Sequence, residues 1–275
     1  MSRDRIWAAT VLAIVCACLF IGAASVAPDG ERVQITNYIP GIHSNGTVIH
    51  KFGDNGDIDS GDDEDIWSYG GDYTFMTVAS VVYVSSTAAG DTQTYEIQGL
   101  DENYDLLTET VTATGKTFKE TTGEFLRVFR VKNTGATPNA GVIYVADDNT
   151  DAGGDGIPDT AADIKAHIAI GENQTLMALY TVPAGYTAYM TSWFSSMSRK
   201  TASAASTVKM YRREVGGVWQ VKEVQALHAN GTSTFKRDYE APESIPEKTD
   251  IRIWADSGTN NTGISAGFDL ILIAN

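Results

Sequence analysis

From residue 31 onward the chain is a succession of short β-strand patterns separated by turn residues. Strand-forming runs at 94–100 and 107–114 flank a polar loop, and this arrangement predicts a β-hairpin. A second hairpin is predicted where runs 208–213 and 218–224 enclose two glycines. The nearly continuous apolar run at 268–273 predicts a central strand that is buried on both faces. Because helical periodicity is confined to one short segment after residue 160, the sequence predicts an all-β fold.

A polar stretch rich in Gly and Asp divides this pattern into two blocks. We therefore predict two antiparallel β-sandwich domains, jelly-roll-like, at residues 31–147 and 165–275, with an acidic linker at 148–164. In the first block, the run 73–84 is the longest series of strand formers and predicts a long strand.

The N-terminal segment, residues 1–27, differs in composition from the rest of the chain. Arg3 and Arg5 precede a stretch without charge from Ile6 to Ala27. A helix needs about 20 apolar residues to cross a bilayer, so this stretch is long enough. A basic start and a small-residue end are typical of a secretory signal peptide. A retained membrane anchor and a helix packed inside an assembly are the alternatives, so Ile6 to Ala27 is also the predicted place of membrane contact.

The charge balance and the cysteine count exclude several classes of function. Lys and Arg number 20 against 35 Asp and Glu, a net charge of −15, which would repel the phosphates of nucleic acid. Cys16 and Cys18 both lie in the N-terminal segment, so the rest of the chain has no thiolate zinc site or cysteine nucleophile. The four histidines have no metal-binding spacing, and no nucleophile-elbow motif is present. We predict that the protein is not an enzyme.

Two acidic stretches are candidate calcium sites, because calcium binds six to eight oxygens and crowded carboxylates repel one another without a cation. The string from Gly154 to Asp159 resembles the calcium-binding turns of thrombospondin type 3 repeats, and Asp151, Asp155 and Asp159 are the predicted ligands. An acidic interdomain linker is the alternative. The second stretch, 54–65, does not fit an EF-hand register, and a solvated acidic loop is its alternative. No cofactor is required by any motif, and calcium is the one candidate ion.

The tryptophans provide a third candidate site. Trp67, Trp193, Trp219 and Trp254 could together form a sugar-binding platform. Each lies in or beside a predicted strand, however, and core packing is the commoner role of such residues.

Two segments carry a resemblance to a known group of proteins. Residues 99–115 and 171–189 resemble segments of the virion structural proteins of tailed phages, especially phages from aquatic samples. Asp65-Ile66-Trp67 and the ending Ala266-Gly267-Phe268-Asp269-Leu270 fit the same layout. The resemblance implies capsid decoration or another surface component of the virion, and it implies no catalytic residues.

These observations lead to one functional prediction and one alternative. The chain is predicted to be a non-enzymatic virion structural protein that assembles in many copies, with itself and other structural subunits as partners and no nucleic acid. The alternative is a secreted or membrane-anchored subunit of a cell-surface filament or surface layer. The N-terminal segment separates the two, because export and processing would favour the alternative and an intact Met1 inside a particle would favour the virion. The predicted location is correspondingly the virion, or the extracellular space and cell surface in the alternative.

Overall fold

A computed structural model describes residues 32–34, 45–198, 204–229 and 232–275. Within these ranges the chain is all-β, as the sequence predicts, and the short helical pattern forms only a 3-10 turn at Ala161–Asp163. The predicted signal or anchor at 1–27 lies outside the described residues. Among the residues that the structure describes, no helix has the length and apolar character required to cross a bilayer.

Seventeen strands are described along the chain. Their bounds are β1 Arg32–Gln34, β2 Asn45–Ile58, β3 Glu64–Asp65, β4 Tyr83–Ser86, β5 Thr94–Leu100, β6 Leu106–Thr112, β7 Lys119–Glu120, β8 Arg127–Asn133, β9 Ile143–Ala146, β10 Ile164–Ile168, β11 Leu179–Thr181, β12 Tyr186–Ser198, β13 Ala204–Arg213, β14 Gln220–Ala229, β15 Thr232–Ile245, β16 Asp250–Ser257 and β17 Thr262–Ala274.

Two antiparallel sheets enclose the larger hydrophobic core. The front sheet has the strand order β1-β2-β17-β12-β15, and the back sheet has the order β11-β16-β13-β14 with β3 attached to β16. Alternate residues of both sheets enter one buried cluster, for example Phe268 and Trp193 from the front sheet and Ile253 and Met210 from the back sheet. The predicted central strand at 268–273 is confirmed, since β17 lies between β2 and β12.

Two smaller sheets form a second core from residues between β3 and β11. Their strand orders are β10-β9-β4-β7 and β6-β5-β8. Tyr95, Ile97 and Phe125 are among the buried residues of this core. A third cluster, which includes Trp67 and Tyr144, joins this inserted part to the back sheet through Leu179 of β11. Both predicted hairpins are confirmed, because β5 pairs with β6 and β13 pairs with β14.

Strand pairing crosses the predicted boundary at 148–164. β2 lies in the predicted first domain but pairs along most of its length with β17, and β10 follows the linker but pairs back onto β9. The ranges 31–147 and 165–275 remain a prediction about folding units. The pairing favours another division, in which residues 73–170 are inserted into a unit built from residues 45–67 and 177–274.

The predicted long strand at 73–84 is wrong, since only Tyr83–Ser86 forms a strand there. Tyr73 and Met76 are buried although neither lies in a strand. The Tyr73 N–H donates to the Asp65 carboxylate at 2.8 Å, and the Val82 N–H donates to the Thr121 hydroxyl at 3.0 Å. These side chains satisfy two backbone N–H groups of the run, and Ser80 exchanges backbone hydrogen bonds with Phe125, so a continuous neighbouring strand is not needed.

Candidate assembly surface

The β13–β14 hairpin forms an edge of the back sheet and carries an apolar surface. Of the nine large hydrophobic side chains that are exposed in the described ranges, four lie on this hairpin. Val215 is 60% exposed, Val218 75%, Val221 47% and Val224 57%. An exposed edge strand with apolar side chains offers both unpaired backbone groups and a hydrophobic contact to another chain.

A β-bulge brings two of these valines onto one face. Val221 pairs with Tyr211 and Val224 with Lys209, with a register shift between Met210 and Tyr211. Without the extra residue in β14, positions three apart would point to opposite faces of the sheet. The bulge therefore places Val221 and Val224 together on the outer face.

Trp219 fixes the tip of this hairpin, residues 214–219, against the body of the protein. Its ring lies 4.5 Å from the Arg213 guanidinium and 4.2 Å from the Arg252 guanidinium. Phe75 of the inserted part contacts the same ring at 5.3 Å between centroids. The Gly217 N–H closes the turn on the Glu214 carbonyl at 2.9 Å. Val215 and Val218 are thus exposed on a rigid support, which lowers the entropic cost of binding.

Asp250 holds the base of the hairpin and the inserted part together. Its buried carboxylate accepts two hydrogen bonds from Arg127 of β8, at 2.9 and 3.1 Å. Arg213 of β13 donates to the same carboxylate at 2.6 Å, and the Thr181 hydroxyl donates at 2.7 Å. Bidentate, charge-assisted bonds of this kind fix orientation as well as adding energy. Asp250 therefore connects elements from both cores.

Arg252, which stacks on Trp219, forms a second buried ion pair with Asp65. Arg252 donates to the Asp65 carboxylate at 3.3 Å and stacks on Trp254 at 3.7 Å. Burial raises the pKa of Asp65 to about 7, although Arg252 acts in the opposite direction.

A groove lies on the outer face of the front sheet. Its cavity volume is about 470 Å³, and its lining includes Phe52, Leu176 and Phe194. Phe194 can lie across β17 because position 267 is glycine, where a Cβ atom would lie 2.5 Å from the phenylalanine Cζ. His50 stacks on Phe194 with 5.8 Å between centroids. The groove is thus a largely apolar depression with aromatic walls.

Polar residues beside the groove do not form a nucleophilic site. His50 Nδ1 lies 2.5 Å from Asp269 Oδ1, and the Ser192 hydroxyl donates to Asp269 Oδ2 at 2.6 Å. The carboxylate therefore lies between the hydroxyl and the imidazole. Activation of a serine requires the imidazole next to the hydroxyl, so this order does not make the serine a nucleophile.

The structure places the predicted calcium ligands in one loop, where their carboxylates accept backbone N–H groups. Asp151 accepts from Gly156 at 2.8 Å, and Asp159 accepts from Ala152 at 3.0 Å. Backbone N–H groups that point to Asp151, led by that of Gly156, lower the pKa of its carboxyl. Asp155 accepts from Ile157 at 3.1 Å. Across the described ranges, no three acidic, His or Cys side chains are grouped as metal ligands, and calcium binding by this loop stays a prediction.

The acidic stretch 54–65 forms the end of β2 and a turn to β3. Glu64 in this stretch has a structural role, since its two oxygens accept from the Asp59 N–H, the Gly71 N–H and the Asn55 side chain. The carboxylate therefore organises the turn.

The four tryptophans do not share a surface. Trp67 and Trp193 are buried in different clusters, while Trp219 and Trp254 stack on Arg252. Core packing was the correct interpretation for the first two. Sequence reasoning missed the exposed valines, although Val-Gly-Gly-Val at residues 215–218 was a usable signal because a hairpin tip is ordinarily polar.

Comparisons with known proteins give little further information. No protein-family model matches the chain, and no curated protein matches it. A solved VP2 subviral particle of infectious bursal disease virus is 11% identical over 84% of this chain and 72% of that chain, with a TM-score of 0.23. The structure of the Gx strain of the same virus is 10% identical over 82% and 72%, with a TM-score of 0.23. TM-scores this low carry no argument about fold or function.

Proposed function

We propose that this chain is a non-enzymatic structural subunit that assembles in many copies on the surface of a virion, as capsid decoration or another surface component. The observation that carries the proposal is the rigid β13–β14 hairpin with its four exposed valines. Complete burial of a valine side chain contributes roughly 1.5–3 kcal/mol, so covering these half-exposed valines supplies a useful part of an association energy. The other structural subunits of the particle are the remaining partners.

The virion location rests on the sequence resemblance of residues 99–115 and 171–189. In the fold the first segment comprises the end of β5, the hairpin loop, β6 and the turn that follows. The second comprises β11 and the first residues of β12. We further propose that the front and back sheets form a jelly-roll-like sandwich and that the inserted part forms a second, smaller one. The net charge of −15 favours a position away from the genome.

The alternative function, a subunit of a cell-surface filament or surface layer, is favoured by the uncharged segment from Ile6 to Ala27. Mass spectrometry of native material, fractionated into nuclease-resistant particles and cell envelopes, separates the two. Recovery with particles supports the virion role. Recovery in envelopes with the N-terminus near Ser25 or Pro28 supports the alternative.

Self-assembly is tested by sedimentation of the full chain over a range of concentrations. We expect concentration-dependent association that the double variant Val215→Thr and Val218→Thr weakens about tenfold or more. Threonine keeps the β-branched shape of valine but replaces a methyl group with a hydroxyl. It therefore weakens the hydrophobic driving force for association. Val78→Thr is the matched control, because Val78 is 74% exposed and lies in a loop outside the hairpin. A wild-type chain that stays monomeric at high concentration would contradict the proposal.

A further inference from the structure

The hairpin tip and the apolar groove lie on opposite sides of the protein. The tip is stacked through Trp219 on Arg252, which points away from the main core on the outer face of the back sheet. Phe52 and Phe194 lie on the outer face of the front sheet, since their neighbours along β2 and β12 point inward. Because the two sheets pack through their inner faces, one chain cannot place its own tip in its own groove.

We propose that the hairpin tip of one copy docks into the groove of a second copy. This inference rests on the proposed function and names the contact through which copies assemble. Such a contact joins two different surfaces, so it propagates head to tail and gives a ring or an open array of many copies.

The shapes of the two surfaces fit this assignment. Two glycines separate Val215 from Val218, so the end of the tip is narrow and has no side chain that would prevent insertion. The groove of about 470 Å³ has the aromatic and aliphatic lining that two valine side chains require. The rigid tip, held by Trp219, also loses little conformational entropy on docking.

The charges near the two surfaces are complementary. Lys222 follows the tip on the exposed edge strand, and its ammonium donates to the neutral Gln220 side chain at 2.9 Å. Asp54 lines the groove and accepts from the Ser265 hydroxyl at 2.5 Å. Within the described ranges neither residue forms an ion pair. A lysine beside the tip and a carboxylate in the groove favour this partner and this orientation.

A complementation experiment tests the contact. Val218→Asp disables the tip and leaves the groove intact, whereas Phe52→Asp disables the groove and leaves the tip intact. We expect each full-length variant alone to associate at least tenfold more weakly than the wild type. An equimolar mixture should recover association but stop at dimers, because each mixed pair has one working tip and one working groove.

The other outcomes overturn the inference in distinguishable ways. If the wild type associates and the single variants do so equally well, or if the mixture fails to recover association, the docking inference falls while the proposed function stands. If the wild type does not associate, both fall. Circular dichroism and thermal unfolding verify that each variant is folded.

Cross-linking gives an independent measurement if Phe52→Asp does not fold. A mixture of Val218→Cys and Phe52→Cys chains should form a disulfide-linked heterodimer under mild oxidation. A mixture of Val218→Cys and Val78→Cys chains controls for random collisions and for the native Cys16 and Cys18. Equal yields in the two mixtures would overturn the docking inference.

Discussion

Replacement of Asp250 by Asn is the sharpest test of how the two cores are held together. The Asp250 side chain is 4% exposed, and it receives hydrogen bonds from Arg127, Arg213 and Thr181. Asparagine keeps the shape and one acceptor oxygen but removes the negative charge. The Arg127 side chain, 7% exposed, would then remain buried without a counterion.

The expected cost follows from that uncompensated charge. Removal of one partner from a buried ion pair typically costs about 3–5 kcal/mol, and the remaining acceptor places this variant near 3 kcal/mol. With a urea m-value of about 3 kcal/mol/M, the unfolding midpoint falls by about 1 M.

Urea denaturation, followed by tryptophan fluorescence and by circular dichroism, measures this change. Asp238→Asn is the matched control, since its pair with Lys236 at 2.8 Å is largely exposed and solvent screens it. We expect the control to leave the midpoint unchanged. If the two variants shift the midpoint equally, Asp250 does not stabilise the junction between the two cores.

Three further predictions concern pH, packing and calcium. Burial, assisted by Arg130, lowers the pKa of Lys51 from 10.5 to about 7. Between pH 7 and 10.5 the unfolded chain therefore binds more protons than the folded chain, and the free energy of unfolding rises with pH. Urea denaturation at pH 6 to 9 should show this rise, with a slope that approaches about 1.4 kcal/mol per pH unit. Lys51→Met should remove the slope. Gly99→Ala should destabilise the protein by several kcal/mol, because the new Cβ atom would lie 1.9 Å from the Arg127 carbonyl oxygen. Gly90→Ala, whose Cβ atom meets no atom within 4 Å, should be neutral. Thermal unfolding of both variants measures the difference. Millimolar calcium should raise the melting temperature and Asp155→Asn should prevent the rise; an unchanged wild-type melting temperature would refute the calcium site.

Local patterns of the sequence predicted local structure well. The β5–β6 and β13–β14 hairpins are specified by turn residues between two strand-forming runs, so neighbouring residues contain the information. The buried run of β17 was equally visible, because a strand covered on both faces is continuously apolar.

Non-local pairing could not be predicted in the same way. The partner of β17 on one side is β2, which is more than 200 residues away, and nothing in either strand identifies the other. The irregular path of the run at 73–84 could not be predicted either, since its hydrogen bonds to Asp65 and Thr121 involve residues outside the run. Exposure also depends on tertiary structure, so the turn residues predicted the hairpin directly, whereas the apolar residues at its tip were only an indirect signal of a surface.

The position of β17 in the chain has a consequence for the order of folding during synthesis. β17 fills the middle of the front sheet, but the ribosome makes it after β2, β12 and β15. The inserted core, at residues 73–170, is complete in sequence before any of the strands from β11 onward emerge. Until β17 arrives, β2 and β12 each lack a neighbour and expose a strand edge, so the nascent chain depends on rapid completion to avoid pairing with other chains.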